Sequence, residues 1–399
     1  MRILKFLGTF IGALVLVFFI VFGFNLDALV TLTENSDDLQ EGQQWVPLSS
    51  SLKGLTEYIG ANPQHVSLVS QSAINPDTTI RYGADKPRTM GTLSNFFLIT
   101  TYARLVENDE LNPDELITIG EADRYQLPYI DFSNHEDAKS AMRSSKSLTN
   151  KDQIPLKDLI QTAVIFSDLA VADFLYYKLG RESINQTYEL LSVERTDKPL
   201  PFSGLYITIN PAVQDTIFPA HFERLQQLSK QEFRDTVLAN SRKYLQDKAY
   251  RKKIKDIFNA SQGLAMQFKE RRDALSLFPK STAEELSGLM LKLEQNELIS
   301  AGVSKRIKEI MDWPFERQNL NSDFNSYGAL YDNRLGLLNG IDYGSSSYSG
   351  EPFGQAVFFD SLQVAFWFHM SSNLMHQDYQ QRLMWDPALR ETTTREVNR

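Results

Sequence analysis

An α+β fold behind a single amino-terminal transmembrane helix is what the sequence predicts, and three observations carry it. Residues 6–24 form a run of nineteen positions without a charge (FLGTFIGALVLVFFIVFGF). A hairpin pattern opens the body of the chain, and strand-like runs return near its carboxy end. Between them lies a long block of helical periodicity. The first and last strands can pair into one antiparallel sheet only if that block folds back beside it, which gives a sheet flanked by helices plus an all-helical part.

The apolar run has the length of one bilayer crossing. Arg2 and Lys5 precede it and Asp27 follows. The positive-inside rule then puts residues 1–5 in the cytoplasm and the body outside: a single-pass protein of the inner (cytoplasmic) membrane with a periplasmic body. A cleaved signal peptide is the rival reading. Its apolar core is shorter and a small-residue site follows it, whereas Phe22, Phe24, Asn25 and Leu26 stand here. Residues 25–45 read as an acidic, Gln-rich linker with little to bury.

The body, 46–380, is then taken in order. Ser49 to Gly60 carries Leu52, Leu55, Tyr58 and Ile59 at helical spacing. His65-Val-Ser-Leu-Val-Ser alternates at period two, Asn75-Pro-Asp turns, and Thr78-Thr-Ile-Arg-Tyr returns. Leu93 to Glu107 is an apolar helix. Leu156 to Leu179 reads as one helix stopped by Gly180, and 182–192 as another. Within a charged helical insertion at about 215–280, Glu223 to Asp273 holds 13 Lys/Arg against 7 Asp/Glu. Ser281-Thr-Ala-Glu-Glu starts a helix with a hydroxyl cap and a Glu three residues on. Gln355 to Asp360 and Gln363 to Met370 read as two strands, with Phe366, Trp367 and Phe368 in the core. A helix from about Asn373 and a polar tail, 381–399, close the chain.

Composition excludes several classes. The 399 residues contain no Cys, so disulfides, thiolate metal sites and a Cys nucleophile are ruled out. With 41 Lys/Arg against 50 Asp/Glu the net charge is −9, the wrong sign for a nucleic-acid partner. The five histidines (His65, His135, His221, His369 and His376) include no H-x-x-x-H pair. No cofactor and no metal are expected.

Five local words stand in order: Tyr82-Gly-Ala-Asp-Lys-Pro-Arg-Thr-Met-Gly-Thr, the run from Leu105, Leu159 to Leu175, the run from Ser281 and the run from Gly340. Together they resemble the serine penicillin-recognising fold, nearest to class A β-lactamases, over about Ser49 to Ser372. The first is similar to the family's run into its nucleophile helix. Leu105-Val-Glu-Asn-Asp-Glu-Leu-Asn-Pro resembles that helix's exit. Leu159 to Leu175 resembles the helix carrying S-D-N, Ser281-Thr-Ala-Glu-Glu-Leu the helix before the last motif, and Gly340-Ile-Asp-Tyr-Gly-Ser-Ser-Ser the K-T-G strand. The resemblance implies a hydrolase or peptidase fold working through S-x-x-K, S-D-N and K-T-G.

This chain departs from all three motifs. The nucleophile position falls on Thr92 and the Lys position on Asn95, an amide with no usable basicity. The second motif reads Ser167-Asp168-Leu169. The third reads Tyr343-Gly344-Ser345, so the cation that would meet a substrate carboxylate is gone. Glu194 stands near the expected deacylation position without its surrounding word. Thr92 and Ser94 are either a disguised nucleophile or a helix cap with a buried hydroxyl. Ser167 and Asp168 are either a remnant catalytic pair or a structural loop. Tyr343, with Ser345 to Tyr348, forms either a new polar groove or a Gly/Ser-rich turn. The expectation is an inactive, membrane-anchored relative that binds or scaffolds in the cell envelope. Its partners would be the membrane, peptidoglycan peptide or an envelope protein, and anionic lipid at the basic insertion around Lys248 to Lys255. The alternative is an active serine or threonine hydrolase with a rebuilt site.

Overall fold

The computed structural model describes residues 33, 35–131, 134–145, 147–311 and 323–398. The transmembrane expectation for 6–24 lies outside the described residues, among which no helix is long and apolar enough to cross a membrane. The strands described are β1 (Val66–Ser72), β2 (Ile80–Tyr82), β3 (Arg88–Thr89), β4 (Leu116–Thr118), β5 (Gln153–Pro155), β6 (Lys280–Ser281), β7 (Phe324–Asp332), β8 (Asn339–Ser346) and β9 (Pro352–Phe359). Five of them form one antiparallel sheet of order β2-β1-β9-β8-β7. The hairpin strand β1 pairs along its length with β9, Leu68 opposite Val357, so first and last strands do meet.

Alternation of side chains divides the sheet's residues between two cores. On one face Val69, Ile341, Ala356 and Phe358 join Leu286, Leu289, Met290 and Leu293 of the Ala283–Glu294 helix in the larger core. On the other face Leu68, Val357 and Phe359 pack with Leu55, Tyr58 and Ile59 of the Leu52–Ala61 helix and with Phe366. Each such aliphatic or aromatic side chain contributes about 1.5–3 kcal/mol by leaving water. Side-chain oxygens start several helices, as at Ser51, whose hydroxyl accepts from the Gly54 amide at 3.0 Å. Thr282 accepts from the Glu285 amide at 3.2 Å. Glu285 itself turns to the neighbouring loop, holding the amides of Glu194 and Arg195 at 2.8 and 2.9 Å.

Several expectations are corrected. Residues 364–373 are a helix (Val364–Asn373), not a strand: Val364, Phe366, Trp367 and Met370 point inward while Phe368 is 38% exposed. A short apolar run fits either period. The Leu156–Leu179 stretch is two helices, Leu156–Ile165 and Leu169–Leu179, broken where Ser167 takes φ +49° and Asp168 caps the second. The tail is helical over Met375–Trp385 and Pro387–Val397, and Leu389 and Thr393 of the last helix are buried. The 215–280 insertion forms helices Phe218–Gln226, Lys230–Gln246, Lys248–Ala260 and Phe268–Ala274 and is no surface addition: it sends Val237, Tyr244 and Phe258 fully into the larger core. Gly204, in the Phe202–Ile209 helix, is required there: a Cβ would sit 2.3 Å from the Val237 carbonyl oxygen. The end of the expected free linker is docked on the body. Asn35 Oδ1 accepts from the Phe268 amide at 2.6 Å, Asp38 accepts from the Lys269 amide at 2.9 Å, and Glu41 pairs with Arg272.

Candidate functional site

The Asn95–Glu107 helix is entered through a 3-10 turn, Gly91–Ser94, and all four turn residues are buried. Ser94 Oγ donates back into its own turn, to the Gly91 carbonyl at 2.8 Å, and does not cap the helix that follows. Thr92 is completely buried, and its Oγ1 has no hydrogen-bond partner among the described residues. Asn95 is also buried. Its Nδ2 donates to the Ala163 carbonyl at 3.3 Å, which turns the amide toward the Leu156–Ile165 helix. Among the described residues no Lys or His nitrogen bonds to Thr92, Ser94 or Asn95.

The Thr92 backbone is occupied as well. Its N–H donates to Asp332 Oδ2 at 3.2 Å. Asp332 ends β7, is fully buried, and meets Arg334 Nη1 through Oδ1 at 2.7 Å. Arg334 Nε donates to the Tyr206 hydroxyl at 3.0 Å, and its guanidinium lies 5.5 Å from the Phe202 ring centroid. Burial alone would favour losing its proton, but Tyr206 and Asp332 outweigh that and hold it charged. Gly91 makes room for this carboxylate: φ is +56°, and a Cβ would lie 1.6 Å from Asp332 Oδ2. Acyl transfer through a hydroxyl requires N–H donors aimed at the oxygen where negative charge develops. Here the amide of the candidate nucleophile already holds an anion.

Ser167 and Asp168 do come to this place. Ser167 Oγ lies 3.4 Å from the Tyr331 carbonyl of β7. Asp168 is buried and structural: Oδ1 accepts from the amides of Ala170 and Val171 at 3.0 and 3.1 Å. Its Oδ2 meets His135 Nδ1 at 2.8 Å, and His135 Nε2 meets Asp123 Oδ1 at 2.8 Å. Burial pulls the His135 pKa down, but the two carboxylates outweigh it and lift it to about 9. The imidazolium is thus a charged bridge between two anions, and it has no proton-accepting nitrogen left for a base.

Tyr343 does not join them. The sheet order makes β7, not β8, the edge strand beside Thr92 and Ser167. Tyr343 lies one strand in, against Gly328, with Lys308 of the Ala301–Met311 helix 5.5 Å from its ring centroid. Glu194 is exposed in the loop tied to Glu285. Next to the site, a cavity of about 10 Å³ lined by Asp131, Leu169, Phe202 and Tyr206 has space for one water at most. Sequence reasoning missed Asp332, Arg334 and His135. The opposite charges of Asp332-Asn-Arg334 were the available signal for the first two, and the scarcity of histidine for the third.

The antiparallel sheet flanked by helices is the β-lactamase-like scaffold of the penicillin-recognising serine hydrolases. The chain belongs to the beta-lactamase enzyme family, whose model matches residues 50–327. Among solved structures it is similar to a β-lactamase from Sphaerobacter thermophilus (10% identity, 87% of this chain and 97% of that one, TM-score 0.50). It is also similar to one from Chitinophaga pinensis (15% identity, 84% and 99%, TM-score 0.48). A third is the class A enzyme of Mycobacterium abscessus (11% identity, 81% and 99%, TM-score 0.47). No curated protein matches.

Proposed function

We propose that this chain is a non-catalytic member of its family, anchored by residues 6–24 with its body outside the cytoplasm, where it binds or scaffolds in the cell envelope. The observation that supports the inactive reading best is the buried Asp332 carboxylate on the Thr92 amide. It puts negative charge where a tetrahedral intermediate would need positive charge, and the Asn95 amide supplies no base, so electrostatic stabilisation and nucleophile activation are both missing. The partner classes that fit are peptidoglycan peptide or an envelope protein, with anionic lipid beside the basic helices.

The rival is an active hydrolase with a rebuilt site, and its support is the family itself, whose solved members are named β-lactamases. Intact-protein mass spectrometry after incubation with a reactive penicillin separates the two. No adduct is expected on the native chain. An adduct mapping to Thr92 or Ser94 overturns the inactive reading. The topology is tested by fusing alkaline phosphatase after the last residue: an active fusion is expected, and an inactive one places the body in the cytoplasm.

A further inference from the structure

A cleft of about 320 Å³ opens between the start of the Lys230–Gln246 helix, the loop around Asp197 and the segment leading into β6. Four cations line it, Lys198, Lys230, Arg234 and Lys280, against one carboxylate, Asp197. Lys230 uses that carboxylate, at 3.3 Å. Among the described residues Lys198 Nζ meets a neutral oxygen, Asn185 Oδ1, at 2.6 Å, and no carboxylate. Among the described residues neither Arg234 nor Lys280 forms an ion pair, and the Arg234 Nε is buried without an acceptor. A buried donor normally has a partner, because leaving one unmade is costly. Three cations without a counter-ion in one cleft are the more unusual in a chain of net charge −9. The rest of the wall mixes apolar side chains, Phe233, Leu277 and Phe278 among them, with Gln226, Gln231 and Ser276.

We propose that this cleft binds a phosphate-bearing small molecule, its dianion held by Arg234, Lys280 and Lys198 and its apolar part against Phe233 and Phe278. The volume is at the lower end of the range for small-ligand sites. Phosphate answers the charge better than a carboxylate does, since one carboxylate would leave two cations unmatched. The proposal does not depend on whether Thr92 reacts. Such a group comes either from a free phosphate ester or from a lipid headgroup.

The full chain would be titrated calorimetrically with glycerol 3-phosphate and with inorganic phosphate at low salt. In parallel it would be mixed with phosphatidylglycerol and with phosphatidylcholine vesicles. Saturable binding is expected, weakened about tenfold or more by Lys280→Gln and by Arg234→Gln, and unchanged by Lys252→Gln on an exposed helix face. Binding of the soluble ester identifies a free ligand. Variant-sensitive binding of anionic vesicles alone identifies a headgroup. Lys280 is half-exposed, so its variant reads out even if Arg234→Gln unfolds. No saturable binding to any probe, or binding that Lys280→Gln leaves intact, overturns the site.

Discussion

Asp332 carries three jobs on one carboxylate: it caps the Thr92 amide, neutralises Arg334 and fills the space that Gly91 leaves. Removing it strands a buried guanidinium, and breaking a buried pair from one side costs about 3–5 kcal/mol. Asp332→Ala should therefore lower unfolding free energy by that amount in urea titrations, and it should not restore acylation, because Asn95 still supplies no base. A loss under about 1 kcal/mol would mean that Arg334 finds water or another anion. His135 makes a pH-dependent contribution. Its folded pKa is about 9, above the ordinary 6.5, so its bridge to Asp168 and Asp123 is fully present below about pH 6.5 and is lost as pH rises through 9. A shift of that size corresponds to on the order of 3 kcal/mol. The stability gap between native chain and His135→Gln should be widest near pH 6 and narrow by roughly that much at pH 10. A gap that is flat across this range would show an uncharged imidazole. Lys139 shares Asp123 at 3.2 Å and holds part of that anion's charge in either case.

Among the elements, the basic helices are the clearest departure from what patterning implied. A local excess of positive charge reads as a solvated arm, yet only part of the stretch faces outward, and Arg272 is itself buried. Phe233, Val237, Tyr244 and Phe258 recur on the inner faces and are buried. Deleting residues 223–273 should abolish folding rather than trim a surface. Tyr244→Ala alone should cost about 3–5 kcal/mol, measured by denaturant midpoint. A folded deletion protein would show that the larger core closes without them. The carboxy-terminal helix makes a similar case on a smaller scale. Ending the chain at Asp386 removes Leu389 and the Tyr379–Thr393 hydroxyl contact at 2.6 Å. That should cost about 2–4 kcal/mol in the same assay. Helices with a clean start or stop, such as Asn95–Glu107 and Arg181–Leu191, were readable from the chain. The break at Ser167 was not, because a Ser in the left-handed region carries no Gly or Pro to mark it. Asp168 as a helix cap was its one local sign.

At the scale of the molecule, pairing of the first and last strands was legible because the early hairpin needed a partner and the final runs offered one. The site was less legible, since which strand becomes the edge is decided by spatial order. β7 was not read at all, and Tyr343, read as part of the third motif, stands on β8, one strand in from that edge. Local words picked out Thr92, Asn95, Ser167 and Asp168, but the groups met there, Asp332 and Arg334, lie some 240 residues along the chain from Thr92 and reach it only through the fold. The docked stretch that begins at Asn35 sets a different limit, one of distance. With residues 6–24 in a bilayer, only the eleven peptide units from Phe24 to Asn35 remain to span the gap, at most about 40 Å when fully drawn out. On the proposed anchoring the body would be held on a short leash over the lipid surface, and a partner fixed farther out would itself have to come down to be met.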